Sequence, residues 1–349
     1  MLAVLAFGLW AMLWPTARFK QAGRERLASV FGLMSLLFLV GLFVTYKLYF
    51  DKVLISGQAQ EDHTGSLGFV YGLLRIVSFS YVFLRAVDLI RSVAWGAERL
   101  INPIALTGYL GPFHMLIAGP ISPYAEHLEI DNLPRPEPTF SHLLNCANTI
   151  ATGLFFKVVI AQAMKIFLFG VEGAIVSTSW MDTAYLLTYL FFDFAGYSLI
   201  ALGIGRLLHV PTPLNFDRPY LACSVTEFWQ RWHKSLGVFV RNNLFMPLHL
   251  FLARRVRRRS LSPFVALVPL VITFIFVAMW HRLTIPFLIW GIAMAIIMVI
   301  EKLVRDRFIY VEWFKHKRAQ LALRVVGPFY ALCVIITSIH YISSEIFTG

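Results

Sequence analysis

Long apolar stretches separated by short polar segments make up most of the chain. A helix needs about 20 apolar residues to cross the hydrocarbon core of a bilayer, and many of these stretches approach that length. The pattern therefore predicts an all-α, polytopic integral membrane protein with about eight to ten transmembrane or re-entrant helices. The predicted membrane segments are 1–14, 27–50, 67–90, 104–121, 143–169, 184–208, 244–252, 264–280, 287–300 and 321–342.

Two of these segments carry features that are unusual inside a membrane. Glycine-proline pairs interrupt segment 104–121, and irregular backbone survives at membrane depth only where protein or water covers it. We therefore predict a bent or re-entrant helix there. Segment 67–90 contains Arg85 and Asp88, three residues apart on one helical face. Because charges inside a span are costly unless paired, we expect these two to form an ion pair.

Composition and charge agree with a membrane protein. The 349 residues are 58% hydrophobic and 14% charged, against about 45–50% and about 25% in soluble domains. The formal net charge is +12, but the chain has little polar surface for the basic stripe of a nucleic-acid-binding protein. Cytoplasmic loops of membrane proteins retain lysine and arginine. We expect the basic clusters 18–26, 254–259 and 305–324 to face the cytoplasm, and we expect no nucleic-acid partner.

The topology of the middle of the chain has two solutions. The acidic, proline-rich loop 123–138 is predicted outside and the arginine cluster 254–259 inside, so an odd number of crossings separates them. Three apolar segments lie between these loops. Either all three cross, or one crosses and the other two re-enter.

Motifs of several enzyme classes are missing from the sequence. It contains no G-x-S-x-G, H-E-x-x-H, G-x-x-x-x-G-K-[ST] or G-x-G-x-x-G pattern. This disfavours a hydrolase, a metalloprotease or a nucleotide-driven pump, and we expect no metal site. The remaining candidates for chemistry are histidines, one acid and a group of tryptophans and cations.

The first candidate is His233, in a segment rich in tryptophan and basic residues. Ser224 and Glu227 form a capping-box pattern, which predicts a helix that begins at Ser224 and places Trp229, Trp232 and His233 together. Aromatic residues interleaved with cations suit a helix at the membrane interface. They suit equally well a site for an anionic donor of the pantetheine type or a phosphorylated donor. The candidate cations are Arg231, Lys234 and Arg241.

The second candidate is His281, which lies in a strongly apolar part of the chain. Ionisable groups inside a membrane are functional candidates by default, and burial favours the neutral imidazole that a general base needs. A third feature is the spacing of four residues that puts Tyr189, Asp193 and Tyr197 on one helical face. Asp193 is then either a buried structural acceptor or a group that orients a catalytic or lipid group.

Four runs of residues, in this order along the chain, resemble the membrane-bound O-acyltransferase family. They are 191–198, 215–220, 224–236 and 279–281, with further similarity at 114–121 and 153–161. The similarity extends over about residues 27–300. It is greatest to the bacterial branch that acetylates alginate and other exported polysaccharides or D-alanylates teichoic acid.

The resemblance implies a helical fold around a central tunnel in the bacterial cytoplasmic (inner) membrane. An acyl group, acetyl or D-alanyl, would pass from a cytoplasmic donor to a hydroxyl of an exported glycan or envelope polymer. The family's intramembrane histidine corresponds to His281, which would remove the acceptor proton, and its second histidine to His233, which would orient the donor or handle a proton. The implied binding residues are Trp229, Arg231, Trp232, Lys234, Arg241, Arg282, Asp193 and Tyr197.

The resemblance also implies which molecules the protein meets. No tightly bound cofactor is expected. The donor would be a thioester of the acyl-CoA or acyl-carrier-protein type, and membrane lipid and a periplasmic or extracellular acyltransferase are expected partners. Arg282 stands where the family usually has glycine, and we expect it to narrow the acceptor path or to contact an anion.

Residues 1–349 are expected to form one membrane domain with a short N-terminal part, which leaves room for a partner that completes the bundle. Two other functions fit the same pattern. One is a glycan or lipid transporter or flippase, because broken helices and intramembrane polar groups also suit transport. The other is a non-catalytic assembly subunit of an acylation complex.

Overall fold

The computed structural model describes residues 2–55, 79–131, 137–169, 179–256, 264–308 and 317–347. Helices account for 83% of the structure, and the described residues contain no strand. The predicted all-α class is therefore confirmed. The chain divides into two compact units, Met1–Leu154 with Tyr197–Pro213, and Phe155–Gly196 with Leu214–Gly349.

In the first unit, the two N-terminal helices pack against each other and against the two helices that follow. Helix α1 (Leu2–Gln21) packs against α2 (Glu25–Ile55) and α4 (Pro103–Leu110), and α2 also packs against α3 (Phe79–Ala94). Gly23, with φ of +72°, makes the tight turn between α1 and α2, a conformation that glycine adopts without steric cost. The helices are α1 (Leu2–Gln21), α2 (Glu25–Ile55), α3 (Phe79–Ala94), α4 (Pro103–Leu110), α5 (Tyr124–Asp131) and α6 (Phe140–Leu154).

The predicted break in segment 104–121 is confirmed. Helix α4 stops at Leu110, and a single 3₁₀ turn at Phe113–Met115 follows. The guanidinium of Arg85, fully buried, donates to the carbonyl oxygens of Leu110, Met115 and Pro120 at 3.1–3.2 Å. The side chain thereby supplies donors to three carbonyls of the broken segment.

The predicted ion pair between Arg85 and Asp88 is wrong. Asp88 pairs instead with Arg91, at 3.3 Å, and accepts a hydrogen bond from the backbone N–H of Tyr124 at 2.7 Å. The Arg85 guanidinium is directed at the backbone carbonyls of the broken segment. Each charged group has hydrogen-bond partners, but the ion pair of Asp88 is formed with Arg91, three residues further along α3.

The second unit contains most of the four runs that resemble a known family. Helix α8 (Trp180–Leu207) begins in this unit and ends in the first, and α12 (Phe264–His281) packs closely on α13 (Ile285–Phe308). Two π-helices, Phe155–Ala161 and Arg241–Phe245, interrupt the regular helices. The remaining helices are α7 (Gln162–Phe169), α8 (Trp180–Leu207), α9 (Val225–Arg231), α10 (Lys234–Val240), α11 (Met246–Arg255), α12 (Phe264–His281), α13 (Ile285–Phe308) and α14 (Lys317–Phe347).

Within the part of the chain that the structure describes, seven helical segments are long and apolar enough to cross a membrane, and Val265–His281 is a shorter apolar helix. Many of their large apolar side chains are exposed, as expected for residues that face lipid. The polytopic prediction is confirmed, and each of the three middle segments meets the length condition for a crossing. The seven are Leu2–Gln21, Glu25–Leu48, Phe140–Ile166, Trp180–Leu207, Lys234–Arg255, Ile285–Asp306 and Arg324–Ser343.

Parts of the sequence predictions fall outside the described residues. These are the first part of segment 67–90, most of the arginine cluster 254–259 and part of the basic connector 305–324. The cytoplasmic position of the basic clusters therefore stays a prediction. The single membrane domain and the central tunnel stay predictions as well.

Candidate active site

His233 lies at a sharp bend between two short helices. Helix α9 ends at Arg231, Trp232 is extended, and His233 has φ of 49° and ψ of 52° before α10 begins at Lys234. The prediction of one helix running through His233 is therefore wrong. A non-glycine residue in this left-handed region costs of order 1–3 kcal/mol, so the surroundings must hold it there.

The start of α9 agrees with the capping-box prediction. The Ser224 hydroxyl accepts from the backbone N–H of Glu227 at 3.0 Å. The Glu227 carboxylate reaches back and accepts from the backbone N–H of Cys223 at 2.7 Å. These two bonds satisfy donors that the first turn of a helix leaves open.

A second carboxylate, from α13, also binds the start of α9. The two oxygens of Glu301 accept from the backbone N–H groups of Val225, at 2.7 Å, and Thr226, at 2.9 Å. The hydroxyl of Thr226 donates to the same carboxylate at 2.6 Å. An anion at a helix N-terminus is favourable both as a cap and through the helix dipole. Glu301 therefore fixes α9 against α13.

Asn215 performs the corresponding role for α10. It is fully buried, and its side-chain oxygen accepts from the backbone N–H of Ser235, at 3.2 Å, and from the Ser235 hydroxyl, at 2.6 Å. Its backbone carbonyl accepts from the N–H of Lys234 at 2.8 Å. The helices on both sides of the bend at His233 are thus held in place: Glu301 binds the start of α9, and Asn215 binds the start of α10. Sequence reasoning missed both roles, although Asn215 begins one of the runs that resemble the family.

The imidazole of His233 is buried in aromatic surroundings. It is 6% exposed, and its ring meets the edge of Phe194 at 4.8 Å between centroids. Neither ring nitrogen has a hydrogen-bond partner among the described residues. Burial, with a further contribution from His281, lowers the pKa of His233 from 6.5 to about 3. The ring is therefore neutral near pH 7, with one nitrogen as donor and the other as acceptor.

His281 is the last residue of α12, and its side chain is exposed. The expectation of a buried His281 is wrong, because α12 ends at this residue. Its ring contacts the buried Trp280 at 4.7 Å and Phe287 at 6.5 Å between centroids. Both histidines lie in the second unit. The imidazole is thus an exposed group that rests on a buried aromatic ring.

Aromatic rings surround the two histidines, and we call them the aromatic shell. Trp232 stacks on Phe228, and Trp229 meets Trp290 edge to face at 5.7 Å. A series of ring contacts leads from Trp290 through Phe287 to His281. The shell comprises Phe194, Phe216, Phe228, Trp229, Trp232, Phe274, Phe287 and Trp290.

The predicted donor-binding cations are near the bend, but two of them already have carboxylate partners. Arg231 forms an ion pair with Glu227 at 2.5 Å, and Lys234 pairs with Asp217 at 3.7 Å. Arg241 is exposed and donates to the side-chain oxygen of its neighbour Asn242 at 3.3 Å. Arg282 follows His281 directly, and its backbone N–H donates to Ala278.

Asp193 and Tyr197 have separate partners. Asp193 forms an ion pair with Lys157 of the first π-helix, and both side chains are more than a third exposed. The alternative in which Asp193 is a buried acceptor is therefore wrong. Tyr197, in the first unit, donates from its hydroxyl to the backbone carbonyl of His114 at 3.0 Å.

Comparison with known proteins identifies relatives along almost the entire chain. A teichoic acid D-alanyltransferase of Streptococcus thermophilus is 26% identical over 311 residues, covering 86% of this chain and 70% of the relative. A peptidoglycan O-acetyltransferase of Helicobacter pylori is 29% identical over 245 residues, covering 61% and 44%. A probable alginate O-acetylase of Pseudomonas syringae is 28% identical over 206 residues, covering 58% and 38%.

The sequence profile of the MBOAT, membrane-bound O-acyltransferase, family matches residues 9–344. That range includes both histidines, the bend between α9 and α10 and all of the aromatic shell. The chain therefore belongs to the membrane-bound O-acyltransferase family and is a multi-pass membrane O-acyltransferase.

Proposed function

We propose that this protein moves an acetyl or D-alanyl group from a cytoplasmic thioester donor to a hydroxyl of a cell-envelope polymer. The observation that carries the proposal is the family match over residues 9–344, which contains His281 and His233 within one aromatic shell. The names of the relatives concern teichoic acid, peptidoglycan and alginate, and all three are hydroxyl-bearing envelope polymers. We propose the same class of acceptor for this chain.

In the proposed reaction, the acceptor hydroxyl oxygen attacks the carbonyl carbon of the thioester. A C–O bond forms, the C–S bond breaks, and the acyl ester and a free thiol are the products. The imidazole of His281 takes the hydroxyl proton and returns it to the departing thiolate. General-base catalysis of this kind contributes about 10²- to 10⁴-fold in rate. The exposure of His281 supports this role, because a polymer hydroxyl must reach the base directly.

We assign the second proton-handling or orienting role to His233. Its neutral ring offers one donor and one acceptor nitrogen, and neither is used by the described residues. Trp229 and Trp232 supply apolar surface for the donor's arm. Arg241 is a better candidate for a donor phosphate than Arg231 and Lys234, since it is exposed and those two pair with carboxylates.

We further propose a place and partners for the reaction. The relatives are bacterial, which supports the bacterial cytoplasmic membrane as the location. The donor is then acyl-CoA or an acylated carrier protein on the cytoplasmic side. The acceptor is reached directly or through an acyltransferase on the outer side.

Substitution of His281 tests the proposal. In a deletion strain complemented with His281→Ala or His281→Gln, mass spectrometry of the envelope polymers should show acylation reduced at least about 100-fold at normal protein level. The matched control is His340→Gln, which alters a histidine that is bonded to Thr183, stacked on Trp180 and not part of the aromatic shell. Full acylation in the His281 variants would contradict the proposal. Loss of the polymer itself from the surface would favour a transporter or flippase.

A further inference from the structure

Two tryptophans of the aromatic shell have buried indole N–H groups without an acceptor. They are Trp229 on α9 and Trp290 on α13, and their rings meet edge to face at 5.7 Å and 80°. Trp290 is 6% exposed. For both residues, Nε1 is buried and has no hydrogen-bond partner among the described residues. Indole nitrogen is a donor only, so each group lacks the single bond that it can make.

Such groups are costly and rare. A buried donor without an acceptor loses about 1–3 kcal/mol, and buried indole N–H groups usually find a partner. Here two of them belong to adjacent rings, and the ring nitrogens of nearby His233 are in the same condition. One isolated N–H group without an acceptor could arise by chance, but that does not explain several such groups in neighbouring side chains. A site prepared for an oxygen acceptor does.

The fold holds the two indoles in a fixed relation. Trp229 lies on the helix whose first turn is bound by Glu301, and Glu301 and Trp290 lie on the same helix, α13. The contact that joins α9 to α13 therefore also sets the position of one indole relative to the other. Donors fixed before the reaction need no reorganisation as charge develops, and this is the property of an effective oxyanion site.

The chemistry of the donors indicates the class of acceptor. Both are neutral N–H groups, and the cations Arg231 and Lys234 on α9 and α10 are paired with carboxylates. A phosphate group binds most strongly to charged donors such as arginine and lysine. A neutral carbonyl oxygen that becomes negative only during the reaction matches two neutral donors. Ring contacts through Phe287 connect this pair to His281, the proposed base.

We propose that Trp229 and Trp290 donate their indole N–H groups to the carbonyl oxygen of the thioester and stabilise the charge on that oxygen during hydroxyl attack. This inference rests on the proposed function. It assigns Trp290 a role in the reaction and gives Trp229 a task beyond apolar contact. The charge forms as the C–O bond is made, and the carbonyl reforms when the C–S bond breaks.

The test replaces the N–H group while keeping the ring. Trp290→Phe and the replacement of Trp290 with benzothienylalanine, which carries sulfur in place of the indole N–H, are made in the full chain in lipid nanodiscs. Trp229→Phe is the second site, and Trp180→Phe, an exposed tryptophan stacked on His340, is the control. Two probes are compared, S-acetyl pantetheine and S-ethyl pantetheine, which lacks the carbonyl oxygen.

In the binding measurement, we expect the wild-type protein to prefer S-acetyl over S-ethyl pantetheine by about 2- to 10-fold, the size of a neutral hydrogen bond. The preference should disappear in both Trp290 variants and persist in Trp180→Phe. Equal binding of the two probes to the wild-type protein, or an unchanged preference in the benzothienylalanine variant, would overturn the inference.

In the transfer measurement, loss of one oxyanion donor should lower kcat about 10²- to 10³-fold with a small change in KM. Unchanged kcat in Trp290→Phe and the benzothienylalanine variant, in an active wild-type background, overturns the inference and leaves the proposed function intact. A wild-type protein that shows the carbonyl preference but transfers no acyl group contradicts the proposed function instead.

Discussion

The carboxylate of Glu301 offers a direct test of how α9 is held. Glu301→Ala removes the acceptor for two backbone N–H groups, those of Val225 and Thr226, at 2.7 and 2.9 Å. Hydrogen bonds to charged groups contribute about 1.5–3 kcal/mol each, so the loss of these two bonds should be at least about 3–6 kcal/mol, to which the bond from the Thr226 hydroxyl adds. That is a large share of a total stability of about 5–15 kcal/mol. Glu301→Gln keeps one acceptor oxygen and should lose roughly half as much.

The measurement is thermal or denaturant unfolding of each variant in the same detergent. Asp306→Asn is the matched control, because Asp306 is an exposed acid on the same helix, and solvent screens its ion pair with Lys302, at 2.7 Å. If Glu301→Ala lost no more stability than Asp306→Asn, the carboxylate would not fix α9 to α13. An order of stability other than wild type, Gln and then Ala would also refute the reasoning.

Three further predictions concern the neighbouring contacts. Asn215→Ala should lower the free energy of unfolding by about 1–2 kcal/mol, because the cap of α10 is lost. Asn215→Asp keeps the acceptor oxygen and should cost less. Equal losses in the two variants, measured by thermal unfolding, would refute the capping role. A double-mutant cycle of Lys157→Met and Asp193→Asn should give a coupling below about 1 kcal/mol, since both side chains are more than a third exposed, and a larger value contradicts this. The folded-state pKa of His233, about 3, lies below its ordinary 6.5, so stability should be complete above pH 6.5 and fall by about 2 kcal/mol at pH 5. Unfolding midpoints at pH 7 and pH 5 check this. In His233→Asn, the part of the stability difference between the two pH values that comes from this histidine should disappear.

The sequence correctly predicted the start of α9, which depends on residues that are close together in the chain. The cap of α9 depends on Ser224 and Glu227, three residues apart, and the pattern predicted it correctly. The bend at His233 depends on Asn215 and Glu301, and Glu301 lies 76 residues from the backbone that it binds. No periodicity within residues 224–236 contains that information. A helix was therefore predicted where two helices and a left-handed residue are found.

The errors at charged and ionisable positions have the same cause. The spacing of Arg85 and Asp88 satisfied the rule for an ion pair, but the broken backbone 25 to 35 residues away supplies three carbonyls for the guanidinium. Apolar neighbours along the chain suggested burial of His281, whereas its exposure depends on where α12 ends. Membrane character and the family depend on runs of many residues, and the sequence predicted both correctly.

The left-handed backbone of His233 has a consequence for engineering. Glycine, and to a lesser degree asparagine, adopts this conformation more readily than histidine does. Either substitution would also remove a buried imidazole whose nitrogens are unused by the described residues. A selection for thermal resistance alone should therefore enrich glycine or asparagine at position 233 and discard the proposed chemistry. Heat tolerance and turnover should be scored together in any library that includes this position.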